Sequence, residues 1–173
     1  GVTRRSSTDN TIRIKHVLDN PSFKLVEGDI TDSVSICNIF RNYPQVDEIY
    51  NLAAQSHVRI SNDLPQFTAQ VNAIGALNVL ESYRKFAPNA KYYQASSSEM
   101  FGNSVDDDGF QRESTPMHPV SPYGCSKMFG YSIVKNYRNS YKLHATNGIL
   151  FNHESPRRGS NFVTNKVVKT AVQ

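Results

Sequence analysis

Short apolar runs alternate with longer amphipathic stretches along this chain, and that alternation restricts the fold more than any other feature. Residues 23–26 read as a short strand that ends at Gly28-Asp29. Residues 33–41 read as a helix capped by Thr31 or Asp32, whose side chains can accept from the first free backbone N–H groups. Residues 48–53 read as a buried strand. Pro65 opens a long helix, since proline is tolerated in a first turn. Phe67, Val71, Ile74, Leu77 and Leu80 recur near a 3.6-residue period and form its expected apolar face. A strand over 91–95, a polar loop containing Asp106-Asp107-Asp108-Gly109, a helix from Pro122 to about residue 138, a strand over 143–151 and a helix over 162–172 complete the order. Strands separated by helices pair in parallel through right-handed crossovers. The expected class is therefore α/β with a doubly wound parallel sheet.

A dinucleotide-binding sheet of this kind begins with a strand, a Gly-rich turn and a helix. No G-x-G-x-x-G occurs here. The expectation is an internal segment of a larger protein: residues 1–173 as a partial Rossmann domain, without its first strand, its Gly-rich turn or a C-terminal substrate domain. The 173 residues fit one globular unit. No apolar run approaches the ~20 residues of a membrane span, and no secretory signal pattern opens the chain. Cys37 and Cys125 form no CxxC pair, so a reducing cytoplasm is expected. The net charge of +4 comes from dispersed basic residues, apart from Arg4-Arg5 and Arg157-Arg158. No basic stripe with interleaved aromatics appears, which argues against nucleic acid. The five histidines lack ligand spacing, so no metal is expected.

The chemistry concentrates in two segments. Tyr123 and Lys127 stand four apart in Ser121-Pro122-Tyr123-Gly124-Cys125-Ser126-Lys127, on one helix face. An ammonium beside a phenol favours the phenolate, giving a base that can take a proton from a sugar hydroxyl. Gln94-Ala95-Ser96-Ser97-Ser98-Glu99 follows the preceding strand. Ser97 can bridge phenol and substrate, and Glu99 adds a second base that oxidation alone does not need. Arg4-Arg5-Ser6-Ser7 lies where an arginine accommodates the 2′-phosphate of NADP; a solvated basic loop is the other reading. Asp29 reads either as a strand-end carboxylate or as an adenine contact. Asn51-Leu52-Ala53-Ala54-Gln55-Ser56-His57 and Asn152-His153-Glu154-Ser155-Pro156-Arg157-Arg158-Gly159 leave strands at their carboxyl ends, where ligands bind in open α/β sheets.

These residues resemble the extended short-chain dehydrogenase/reductase family, and within it the GDP-mannose 4,6-dehydratase branch. The resemblance spans essentially the whole chain and is sharpest over residues 148–159. It implies a catalytic set of Ser97, Glu99, Tyr123 and Lys127. It implies cofactor contacts from Arg4, Arg5 and Ser6 at a 2′-phosphate, from Asp29 and Ile30 beside adenine, from Leu52, Ala53, Ala54 and Ser56 along the cofactor, and from Tyr123, Lys127, His153 and Arg158. Ser56, Glu99, Asn152 and Lys166 match positions that hold the sugar nucleotide. Phe67 stands where relatives usually carry tyrosine, and Ser97 replaces a commoner threonine. The implied substrate is GDP-mannose, the implied cofactor NADP, and the implied assembly a homodimer or homotetramer. The implied reaction oxidises C4, removes the C5 proton, loses water and returns hydride to C6. The isolated 173 residues are expected to be inactive. Another sugar-nucleotide dehydratase or epimerase, and a non-catalytic remnant, are the competing readings.

Overall fold

The computed structural model describes residues 1–160 and 162–172. Asn161 and Gln173, within the expected domain span, lie outside them. Strands β1 (Val2–Thr3), β2 (Val26–Glu27), β3 (Glu48–Asn51), β4 (Lys91–Ser97) and β5 (Ala145–Leu150) pair only in parallel. Parallel neighbours need long crossovers, and helices supply them. Helix α1 (Lys15–Leu18) and α2 (Ser33–Asn42) follow β1 and β2. Helices α3 (Val58–Asp63), α4 (Pro65–Ala69) and α5 (Gly75–Phe86) follow β3. Helix α6 (Pro122–Tyr141) links β4 to β5, and α7 (Val163–Val172) follows β5. The pairings fall into two ladders, β1-β2 and β3-β4-β5. Among the described residues, no helix is long and apolar enough to cross a membrane.

The core lies where α2, α5 and α6 meet β4. Ile36, Phe40, Val79, Leu80, Tyr83, Tyr92, Val134, Tyr137 and Leu143 form its buried cluster. Each such apolar side chain contributes about 1.5–3 kcal/mol on burial, so the cluster fixes β4 and α6 to one scaffold. Tyr83 stacks on Tyr92 at 5.5 Å and donates to the Ala90 carbonyl at 2.9 Å, which ties α5 to β4. Glu81 joins α5 to α6. It accepts from Arg84 at 3.0 Å and from the Tyr137 hydroxyl at 2.6 Å. Those two partners, Arg84 foremost, hold its carboxyl down to about 2.

The expected helix from Pro65 exists, but its buried face differs. Phe67 is 44% exposed and Ile74 39%, whereas Thr68, Asn72, Ala73, Gly75, Ala76 and Val79 are buried. Leu80 is buried as expected, and Val71 and Leu77 are half-buried. A π-helical segment, Gln70–Ile74, lies between α4 and α5. A π turn inserts a residue into the helical repeat, and within it Asn72 and Ala73 take buried positions while Ile74 turns outward. Phe67 precedes the segment and lines the cleft between the ladders. Other expected bounds moved less. The early strand forms at Val26–Glu27 instead of 23–26, and β3 ends at Asn51 instead of residue 53. Asp32, not Thr31, caps α2, accepting from Val34 and Ser35 N–H groups.

Candidate active site

Strand β4 brings Ser97 to its carboxyl end, and a 3-10 turn, Ser98–Met100, carries Glu99 directly after it. Ser97 is buried, and its hydroxyl accepts from the Glu99 N–H at 3.2 Å. The serine thereby caps the turn that holds the glutamate. Helix α6 begins where Ser121 accepts from the Gly124 N–H at 3.0 Å and Pro122 fills the first turn. A Cβ on Gly124 would stand 2.7 Å from the Glu99 carbonyl. Only glycine allows this first turn to come so close to the Glu99 turn. The Tyr123 N–H donates to the buried Ser61 hydroxyl at 3.2 Å, which adds α3 to the same junction.

Ser97, Glu99, Tyr123 and Lys127 are thus gathered in one place. Burial pushes the Tyr123 phenol above its ordinary pKa; the Ser97 hydroxyl pulls it down, the Glu99 carboxylate pushes it up and the Arg158 guanidinium pulls it down. Lys127 sits 5.8 Å from the Tyr123 ring centroid and is 4% exposed. Its ammonium donates to the Ala95 carbonyl of β4 at 2.8 Å. Burial brings its own pKa down to about 8. The sequence expectation that Lys127 lowers the phenol's pKa is therefore not met in this arrangement. The strand carbonyl engages the ammonium, and desolvation of the phenol dominates.

The residues expected along a cofactor converge on the cleft between the ladders. Arg4, Asp29, Ile30, Leu52, Ala53, Ala54 and Ser56 all line this cavity of about 980 Å³, together with Phe67. None of Ser97, Glu99, Tyr123 or Lys127 lines it. Asp29 makes a tight strand-end turn, accepting from the Thr31 N–H at 2.9 Å and the Thr31 hydroxyl at 2.8 Å. These two hydrogen bonds, the backbone one first, lower its pKa. Both sequence readings of Asp29 survive, since it also faces the cleft. Arg4, Arg5 and Ser6 line a second, polar cavity of about 400 Å³ with Ser7 and Thr8. Arg5 already engages Glu27 at 2.7 Å.

The loop after β5 divides. Arg158 lies over the Phe162 ring at 3.5 Å, and Phe162 packs against His57 at 5.3 Å. This arginine is the member of the loop whose charge reaches Tyr123. Its Nε is buried and, among the described residues, has no hydrogen-bond partner, although Glu154 stands 3.4 Å away. Asn152 and His153 are exposed, and His153 turns back on the Phe151 carbonyl at 2.7 Å. Lys166 is exposed on α7, a helix with no buried residue. Among the described residues, none of these three hydrogen-bonds to Ser97, Glu99, Tyr123 or Lys127.

Sequence reasoning missed Asn72. In the π segment, its carbonyl oxygen accepts from the Gln55 N–H at 2.9 Å. Its amide donates to the Gln55 carbonyl at 3.0 Å and to the Ser126 hydroxyl at 3.1 Å. Ser126 in turn donates to the Tyr123 carbonyl at 2.7 Å. One side chain thus fastens the loop after β3 to α6. An asparagine inside an apolar helix was the available signal, because such residues compete for backbone partners.

Parallel α/β ladders with a Ser-Glu-Tyr-Lys set at the carboxyl end of β4 define a short-chain dehydrogenase/reductase fold. Among solved structures, a dTDP-glucose 4,6-dehydratase from Streptomyces venezuelae, with NAD and TYD bound, matches at a TM-score of 0.85 and 25% identity. That match covers 99% of this chain and 51% of the other. The family model described as GDP-mannose 4,6 dehydratase matches residues 1–173, and the chain belongs to that family. It is 49% identical to the GDP-mannose 4,6 dehydratase of Drosophila melanogaster and 47% identical to that of Homo sapiens, over its whole length in both cases. It covers 45% and 48% of those proteins, so it spans about half the length of the curated relatives it matches.

Proposed function

We propose that the protein carrying these residues converts GDP-mannose to GDP-4-keto-6-deoxymannose, with NADP as its cofactor. The observation that carries this reading is the gathering of Glu99 with Ser97 and Tyr123, because it provides a second base beside the first. A Tyr-Lys pair suffices for reversible oxidation of a sugar hydroxyl; removing a carbon-bound proton needs another acceptor.

The residues present fit a nicotinamide dinucleotide. The cleft joins Asp29 and Ile30 to Leu52, Ala53, Ala54 and Ser56, a continuous wall at strand carboxyl ends. The buried Nε of Arg158, paired with Glu154 at 3.4 Å but without a hydrogen bond among the described residues, fits an anionic group. Arg4, Arg5 and Ser6, around their own polar cavity, suit the extra phosphate of NADP. Tyr123, Lys127 and His153 are assigned the nicotinamide end. When bound, the cofactor accepts and later returns a hydride.

The chain's own residues handle the protons. Tyr123 takes the proton of the sugar 4-hydroxyl at its phenol oxygen, while Ser97 orients that hydroxyl. The Lys127 ammonium, 5.8 Å from the Tyr123 ring centroid, favours the phenolate form by its charge. The 4-ketone then acidifies the adjacent C5 proton, and Glu99 removes it. Glu99, now protonated, gives that proton to the departing C6 hydroxyl as water; C5 takes a proton from solvent as hydride reaches C6, and the proton held by Tyr123 is released. Ser56, Asn152 and Lys166 are assigned to holding the sugar nucleotide.

Full-length protein should turn over GDP-mannose and leave dTDP-glucose and UDP-glucose unchanged; the reverse preference would overturn the substrate assignment. Replacing Arg4 and Arg5 together by alanine should weaken NADP by at least about 10²-fold, two charge-assisted contacts being lost. NAD affinity should hold within about threefold, since it lacks the phosphate. Equal weakening in a titration of both cofactors would remove the 2′-phosphate argument.

A further inference from the structure

We infer that Gly102 is a positioning residue: with His118 it closes the loop between Glu99 and Tyr123 into a rigid clip that sets how far the carboxylate stands from the phenol. The inference rests on the roles proposed for those two side chains. Three observations carry it. First, the loop is pinched at its base. Gly102 and His118 run side by side as a parallel β-bridge, and His118 Nδ1 hydrogen-bonds with the Ser104 hydroxyl at 3.2 Å. Gly102 has a φ of 58°, and a Cβ there would collide with the His118 carbonyl oxygen. A side chain at this position is strained by the first and blocked by the second. Second, the loop above the pinch is braced within itself. Asp106 accepts from the buried Thr115 hydroxyl at 2.8 Å and from Arg112 at 2.9 Å, and Gln111 donates to the Ser104 carbonyl at 2.9 Å. A push at the base is therefore not absorbed by the loop. Third, the pinch touches both segments that hold the reactive groups. The Gly102 N–H donates to the Glu99 carbonyl at 3.3 Å. Pro119, next to His118, lies 3.0 Å from where a Cβ of Gly124 would be, in the first turn that carries Tyr123.

The arrangement sets the sign of a disturbance. The Glu99 carbonyl is already 2.7 Å from the Cβ position of Gly124, so the Glu99 turn has no room to move toward α6. Pro119 stops His118 from moving that way too. A methyl on Gly102 therefore drives the Glu99 turn away from Tyr123. The phenol then loses the carboxylate that pushes its pKa upward, and the phenolate is favoured. Gly109 offers the control. It too has a positive φ, 81°, but it lies midway along the loop, where an added Cβ meets nothing within 4 Å. Gly109→Ala strains the loop without pressing on its base.

The test uses the full-length protein with its tyrosines carbon-labelled beside the phenol oxygen, the Tyr123 signal being assigned by its loss in Tyr123→Phe. NMR follows that signal across pH without substrate. Below the midpoint, Gly102→Ala should carry at least about threefold more Tyr123 phenolate than wild type at the same pH. Gly109→Ala should match wild type. His118→Gly keeps the carbonyl but removes the Ser104 bond and frees the backbone. It should shift the titration the same way by less, and it serves as the test where Gly102→Ala fails to fold. In single turnovers of GDP-mannose, Gly102→Ala should dehydrate about 10²-fold more slowly, the cost of misplacing a group by about 1 Å, while C4 oxidation stays within about threefold. An unchanged titration in both base variants, or an equal shift in Gly109→Ala, would overturn the inference. Equal slowing of oxidation and dehydration would overturn it too. The titration involves no substrate, so its failure is distinct from failure of the proposed reaction, which a wild type inert toward GDP-mannose would overturn.

Discussion

Tyr123→Phe in the full-length protein should lower kcat by about 10²- to 10⁴-fold, the range for loss of a positioned acid-base group. The substitution deletes one oxygen and keeps the ring, so the contacts that seat α6 remain. Those contacts are made by backbone and neighbours: the Tyr123 N–H on Ser61, the Tyr123 carbonyl on Ser126, and Gly124 against Glu99. The circular dichroism spectrum and the KM for GDP-mannose should therefore change little. A drop in kcat and kcat/KM together, without a KM change, marks an interaction made in the transition state. Steady-state kinetics at saturating cofactor checks this. Retention of more than about a tenth of wild-type kcat would mean that another group takes the hydroxyl proton.

Glu99→Gln should separate the two halves of the reaction. Glutamine keeps the size of the side chain but cannot accept a proton from carbon. Overall dehydration should fall by about 10²- to 10⁴-fold, while oxidation at C4 continues. In a single-turnover experiment, the absorbance of reduced cofactor should rise and persist instead of appearing transiently. A second consequence concerns pH. The Glu99 carboxylate pushes the Tyr123 phenol upward. Removing that negative charge favours the phenolate, so the variant's C4 oxidation should begin at lower pH than in wild type. Normal dehydration by the variant would remove Glu99 from the mechanism. An unchanged pH profile would mean that the carboxylate does not face the phenol in the working enzyme.

The parts of this site that were legible in the sequence depend on local rules. Pro122 announces the start of α6, and the four-residue spacing puts Tyr123 and Lys127 on one face. The strand before Ser97 has an apolar and aromatic run that needs no tertiary information. Asp32 was one of two acceptable caps, and only the backbone geometry chose between them. What escaped was set by packing. The π segment cannot be read from hydrophobic period, so Ile74 was assigned inward while Asn72 and Ala73 took the buried positions. Lys127 could be placed beside Tyr123 but not aimed, because the Ala95 carbonyl that captures it is 32 residues away in sequence. Arg158 was assigned from resemblance; its stack on Phe162 depends on how the loop after β5 folds. The two-residue strands β1 and β2 are too short for a periodic signal, and the one expected at 23–26 starts three residues later and ends one residue later.

The most direct measurement is a label transfer. GDP-mannose carrying deuterium at C4 is turned over by the full-length protein with NADP, and the product is examined by NMR. The account predicts a 4-keto-6-deoxy sugar with the deuterium at C6 and a solvent-derived hydrogen at C5, because Tyr123 and Glu99 exchange only protons while the hydride stays within the site. A product with the deuterium back at C4 and an inverted hydroxyl would identify an epimerase, and deuterium appearing in solvent, or no product at all, would contradict the account.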